Sequence, residues 1–205
     1  MHDLFDRIES ARARCNVLEH SFYRRWSAGE LSRDELAVYA GEYRHAVQAL
    51  ADGLSEAGPL VAEHAAEEAE HVALWDQFAH AVGGDTSCAP RKETSACVDS
   101  WTAGRDTLEG LVAAYAIESG QPAISQTKLD GLREHYGLDE GPATEYFTVH
   151  AERDHEHAAE TRALIEERLD GADHDRLLEV AEGALRGNWL LLDGVERGEL
   201  HRVQA

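Results

Sequence analysis

Lysine is almost missing from this chain. Of its 19 basic residues only Lys92 and Lys128 are lysines, and the other seventeen are arginines. Against them stand 40 acidic residues, for a formal charge of -21. A field of that sign repels phosphate backbones and anionic lipid, so nucleic acid and membrane surfaces are set aside as partners. The acidity is spread along the chain and not gathered in a tail. Acid excess with so little lysine fits a protein adapted to high salt, where screening removes self-repulsion. A GC-rich genome would favour arginine with no physical cause.

Cysteine is scarce too. Cys15, Cys88 and Cys97 are an odd, scattered set without a C-x-x-C pair, which argues for a reducing compartment and against a disulfide framework. Residues 1–9 already mix charge with apolar side chains, so no signal peptide is expected and a cytoplasmic location is. No apolar run reaches the roughly 18 residues of a membrane span. Sustained alternation of apolar and polar residues is lacking as well, which removes the signature of strands.

What remains is helical periodicity in a chain that is 43% hydrophobic, enough for one globular core. The pattern predicts helices over residues 4–26, from Ser32 to 56, 60–82, 93–103, 106–136, 142–170 and 173–192. Ser32 and Glu35 form a capping box. Gly83-Gly84 stops the third helix, residues 85–93 read as a loop, and Gly137 ends the fifth. Pro122 lies within the fifth helix and is expected to kink it at Glu118, four residues back. Pro142 is expected to open the next helix. The whole, residues 1–205, reads as one all-α single-domain bundle.

Three of these helices carry metal-binding chemistry. His150, Asp154 and His157 stand at i, i+4 and i+7, within about 60° on one helical stripe. Imidazole with carboxylate suits iron, manganese or zinc. A solvated acidic face is the competing reading, because Glu152, Glu156 and Glu160 lie alongside. The third helix offers His64, Glu67, Glu68 and His71, with two of the four expected as ligands; Glu68-x-x-His71 has the spacing that di-iron bundles use. Glu118 sits in the apolar stretch AAYAIESGQPA. A carboxylate there is costly to bury unpaired, so it either meets water or binds something positive.

With these residues assembled, the chain resembles the CADD-like family (Chlamydia protein associating with death domains) of the wider TenA/PqqC, haem-oxygenase-like fold. The resemblance covers nearly the whole chain. It rests on LEHSFYRRWSAGELSRDEL, EHVALWDQF, YAIESGQPAISQTKLDGLREHYG and YFTVHAERDHEHA. It implies a dimetal oxidase holding iron with iron or manganese, with O2 as co-substrate. It implies His71, Glu118, His150, Asp154 and His157 as ligands. Where the family has a Glu seven residues ahead of His71, this chain has His64; Glu67 or Glu68 is placed to take over, and His64 and Glu68 complete the candidate set.

The resemblance further implies formation of para-aminobenzoate for folate, from one of the protein's own tyrosines as ring precursor and a lysine as amino donor. The matching positions are Tyr23 and Lys128. A family tyrosine just before the ligand Glu is Ile117 here. Independently, Lys128 is odd as a lysine kept by a chain that has nearly none, ten residues from Glu118; a surface lysine that merely survived is the plain alternative. Tyr39 and Tyr43 belong to the core or line the same cavity. Lys128→Arg is expected to keep the fold and metal but end aminobenzoate production. Two other readings stay open: a dimetal oxidase acting on an external small molecule through a wide apolar channel, and a non-enzymatic metal-binding bundle. TenA-like thiamin hydrolysis requires a cysteine nucleophile, and no cysteine here has an activating neighbour in sequence. The substrate is thus a small molecule or the chain's own side chains, and the oligomeric state, homodimer included, is left open.

Overall fold

The structure, a computed structural model, describes residues 4–202. Nine α-helices are found among them: α1 (Leu4–Arg14), α2 (Ser21–Ser27), α3 (Arg33–Ala57), α4 (Ala62–Val82), α5 (Lys92–Trp101), α6 (Thr107–Glu118), α7 (Gln121–His135), α8 (Glu145–Glu166) and α9 (His174–Arg202). No strand occurs among the described residues, and none of these helices is long and apolar enough to cross a membrane.

Several helix ends follow the sequence closely. Ser32 and Glu35 form the reciprocal capping box of α3, Asp106 caps α6 from its side chain, and Gly83 ends α4 in a left-handed conformation, φ +80. Other expectations fail for local reasons. The helix expected over 4–26 breaks into α1, a short 3-10 turn and α2. Asn16 accepts from the Leu18 N–H and His20 Nδ1 from the Phe22 N–H. These side-chain bonds offer the backbone an alternative to a continuous helix.

The expected kink at Glu118 is a full break. α6 ends at Glu118 and α7 begins at Gln121, with Pro122 in its first turn. Proline has no N–H for the Glu118 carbonyl, and its ring clashes there. The two halves take different neighbours: α6 packs on α3, α8 and α9, and α7 packs on α2 and α8. Pro142 lies in a turn before α8, which starts at Glu145. The last helix runs past 192, because Gly194 is no stop but a close-approach point: a Cβ there would stand 2.7 Å from Glu93 Cβ of α5.

One hydrophobic core joins all nine helices. Its centre is aromatic: Phe22, Tyr23, Trp26, Tyr39, Tyr43, Trp75, Phe78 and Phe147 are each almost wholly buried. The candidate ligands lie beside this centre, between α4, α6 and α8.

Candidate metal centre

Helical periodicity alone places most of the site. His64, Glu68 and His71 fall at i, i+4 and i+7 of α4, on one face. Tyr146, His150, Asp154 and His157 form the buried stripe of α8. Glu118 is the last residue of α6, held at that end by the break ahead of Pro122. Glu68, Glu118, His150 and Asp154 are each 1% exposed. These helices therefore bring three carboxylates and four imidazoles into one space, buried except where His64 and His157 line an open cavity.

The ligand atoms converge in two groups that share one residue. His64, Glu68, Glu118 and His157 offer atoms all within 4.8 Å of one another, and so do Glu68, His71 and His150. His64 Nε2 lies 2.8 Å from Glu118 Oε1. His71 Nδ1 donates to Glu68 Oε1 at 3.0 Å, and His150 Nε2 stands 3.8 Å from Glu68 Oε2. Asp154 falls outside both groups by distance but adjoins them, with Oδ1 3.9 Å from His157 Nδ1.

Two outer contacts fix which nitrogens face inward. His150 Nδ1 is 2.7 Å from the Tyr146 carbonyl oxygen. That oxygen only accepts, so Nδ1 carries the proton and Nε2 presents its lone pair to the site. His157 Nε2 meets Glu67 Oε2 at 3.1 Å, which leaves Nδ1 facing Glu68 and Asp154. Glu67 is itself paired with Arg153 at 3.4 Å. The sequence reading treated Glu67 as an alternative ligand; it stands behind His157 instead, in the supporting position usual for metal-binding histidines.

The electrostatics call for a cation. Burial pushes Asp154 up to about 9, with the Glu118 and Glu68 charges adding to it. Burial likewise raises Glu118 to about 7, against the lowering contact with His64. Burial works on Glu68 in the same direction, but its contacts with His150 and His71 outweigh it and hold the carboxyl well below its ordinary value. Both Asp154 oxygens, both Glu118 oxygens, Glu68 Oε2, His150 Nε2 and His157 Nδ1 are buried without an aligned hydrogen-bond partner. Buried polar atoms are normally satisfied, and so many unsatisfied donor atoms facing one space fit divalent metal ions bound by oxygen and nitrogen.

Lys128 reaches into the aromatic centre of the core, next to the ligands. It is 0% exposed, which overturns the plain alternative of a surviving surface lysine. Its Nζ lies 4.6 Å from the Tyr43 ring centroid, 5.6 Å from those of Tyr23 and Tyr39, 5.5 Å from Trp75 and 5.4 Å from Phe147. Burial lowers its pKa to about 7. Tyr23 and Tyr39 share a hydrogen bond of 3.0 Å between hydroxyls, and Tyr39 and Tyr43 both belong to the core while facing Lys128. Trp75 and Tyr146 form the wall towards the metal centre. Their rings lie 4.9 Å apart, and Tyr146 stacks on His150 at 3.9 Å. The sequence reading missed this wall, since nothing in the spacing of two core aromatics distinguishes it from ordinary packing.

Comparison with known proteins agrees with this chemistry. The family profile described as "Iron-containing redox enzyme" matches residues 35–191. The chain belongs to this family. Membership sets aside the non-enzymatic reading. Among curated relatives, the 4-aminobenzoate synthase of Chlamydia trachomatis is 31% identical, over 93% of this chain and 91% of its own length. The enzyme of the same name from Nitrosomonas europaea is 29% identical over 88% and 85%. The fold is haem-oxygenase-like, as the resemblance implied. A TenA homologue from Pseudomonas syringae superposes with a TM-score of 0.80 at 16% identity, over 95% of this chain and 91% of that one. A Shewanella denitrificans domain described as having a heme oxygenase-like fold gives 0.76 at 20% identity, over 100% and 96%.

Proposed function

We propose that the chain is a CADD-type 4-aminobenzoate synthase that holds two metal ions, iron with iron or manganese, and draws the product from its own Tyr23 and Lys128. The observation that carries this reading is a shared neighbourhood: the only buried lysine among the described residues faces the Tyr23 ring at 5.6 Å, one aromatic wall away from the convergent ligands.

The residues fit the metals: His64, Glu68, Glu118 and His157 would hold one ion and Glu68, His71 and His150 the other, with Asp154 beside the first group and Glu68 common to both. Bound there, the ions would supply O2 activation. Every other contribution comes from the chain. A pKa of about 7 gives Lys128 a substantial share of neutral amine at neutral pH, so its nitrogen has a lone pair to donate; a guanidinium never would. The aromatic cage excludes water from that nitrogen and positions it over Tyr23, Tyr39 and Tyr43. The Tyr39 hydroxyl is 3.0 Å from that of Tyr23 and is placed to take or return its proton. Asp154 holds a proton on a carboxylate oxygen at neutral pH and yields it when a cation enters.

The other enzymatic readings find less support. The cavity that opens onto His64 and His157 is also lined by Glu63, Glu67, Arg153, Glu156 and Glu160, which is polar and unlike the apolar channel an external fatty substrate requires. For TenA-like hydrolysis, Cys97 is fully buried and its burial pushes the thiol pKa up, opposite to what a nucleophile requires.

The test is a count. The full chain is loaded with metal without oxygen, exposed to O2, and weighed whole by mass spectrometry. The expected result is at most one 4-aminobenzoate per chain, with the missing mass mapped to Tyr23 and Lys128. Many products per chain, or an intact Tyr23 in spent protein, would overturn the reading. Lys128→Met replaces the Lys128→Arg variant as the companion, because arginine would bury a permanent charge in an aromatic cage with no counter-ion.

A further inference from the structure

A cavity of about 320 Å³ opens where α1, the α6–α7 break and α9 meet; Ile117 and Ser119, on either side of Glu118, line it, while none of the metal ligands does. Its floor includes Trp101, Ile117, Leu185 and Asn188, and Arg12 and Ala123 stand at its mouth. The volume suits a small ligand of one substituted ring. The floor is apolar except for Asn188. That side chain is 9% exposed, and its Oδ1 has no hydrogen-bond partner. An amide oxygen buried beside a cavity without a donor is a vacant acceptor.

The same floor adjoins the rings that surround Lys128. Asn188 lies within hydrogen-bonding reach of the Tyr43 hydroxyl, and the Trp101 and Tyr43 rings meet edge-on with centroids 6.4 Å apart. Tyr43 is in turn the ring nearest Lys128 Nζ. Gln121, at the start of α7, donates to the Tyr43 hydroxyl from Nε2 at 3.5 Å. Tyr43 therefore stands between Lys128 and the floor of the cavity, held by two amides on separate helices.

The mouth supplies the opposite chemistry. Arg12 donates from Nη1 to the Ala116 carbonyl at 2.9 Å and from Nη2 to Ser119 Oγ, and its Nε meets Glu9 at 3.2 Å. Each terminal nitrogen carries a second N–H. In a chain of charge -21, a half-buried guanidinium at a cavity mouth is an uncommon local attraction for a carboxylate.

We propose that this cavity is the exit site for 4-aminobenzoate, with the ring between Trp101 and Leu185, the amino group donating to Asn188 Oδ1 and the carboxylate at Arg12. This rests on the synthase reading above, and deepens it by giving the product a route past Tyr43 and a place to bind. No bond is made or broken in the step.

The experiment titrates 4-aminobenzoate into the full-length protein by calorimetry, with tryptophan fluorescence as a second signal. Wild type is expected to bind one ligand per chain with a sub-millimolar Kd. Benzoate, which lacks the donor for Asn188, is expected to bind about ten-fold more weakly, and Asn188→Leu to weaken 4-aminobenzoate by a similar factor. Ala123→Trp, at an exposed position, is expected to close the mouth and abolish binding without disturbing the core. Absence of saturable binding at millimolar ligand, or unchanged affinity in both variants, overturns the proposal. The two readings fail separately. A chain that makes 4-aminobenzoate but does not bind it loses only the exit site; a chain that binds it at Asn188 but never makes it loses the synthase reading.

Discussion

Lys128 Nζ stands 4.6 Å from the centroid of the Tyr43 ring and has no hydrogen-bond acceptor. Aromatic faces attract its ammonium form, but they cannot replace the water it has lost, and desolvation dominates. The consequence can be measured as stability. With a folded pKa of about 7 against the ordinary 10.5, the folded chain holds fewer protons than the unfolded chain between those values. Stability therefore rises with pH across that window, and below it the full cost, on the order of 5 kcal/mol, is present. Lys128→Met should be more stable than wild type at pH 7 by a few kcal/mol, and the gain should shrink towards pH 10. Urea unfolding at both pH values checks this; a gain independent of pH would contradict it.

Glu68 belongs to both ligand groups, whereas His71 belongs to one. Glu68→Gln should therefore cost both metal ions, and His71→Ala chiefly one. Metal content per chain after equilibrium dialysis distinguishes them. Equal loss in the two variants would remove Glu68 from the bridging position.

Asp154 has a folded pKa of about 9 against an ordinary 3.8, so the metal-free folded chain holds the extra proton between these values. Its contribution to stability is present below about pH 4 and is lost as pH rises through 9. Asparagine resembles the protonated acid in shape and charge. In metal-free protein, Asp154→Asn should leave stability near pH 4 within about 1 kcal/mol of wild type and remove part of the decline between about pH 4 and pH 9, while metal binding falls sharply. Calorimetric melting with and without metal reads both effects.

Glu67 tests the outer contact. It accepts the Nε2 proton of His157 and is itself a member of neither ligand group. Glu67→Gln keeps the shape and removes the charge, and should weaken metal affinity by roughly ten- to a hundred-fold while leaving the ion count at saturation unchanged. A lower count at saturation would make Glu67 a ligand.

Much of the site was legible because helical spacing is a local property. The His150–Asp154–His157 stripe, the α4 face and the capping box at Ser32 each follow from a few neighbouring residues. Glu118 was legible through its surroundings, since an acid among Ala, Tyr and Ile requires a partner. The depth of Lys128 was half legible: it lies on the stripe of Ile124 and Leu132, but only the packing of α7 on α2 and α8 buries it. The break at Asn16 and His20 was hidden, because side chains that bond their own backbone compete with helix propensity in a way that apolar periodicity does not register. Asn188 carried no signal either; its meaning comes from Tyr43 across the bundle.

Tyr23 is 1% exposed and rests against Phe22, Trp26 and Tyr39. A chain that has given up that ring keeps its backbone but carries a hole the size of a benzene in its aromatic centre, and emptying such a position costs about 3–5 kcal/mol. Spent protein would then be a weakened protein, melting earlier and opening more often to proteases than the fresh chain. The lifetime of each copy would be written into the same packing that makes the chemistry possible: one reaction, then clearance.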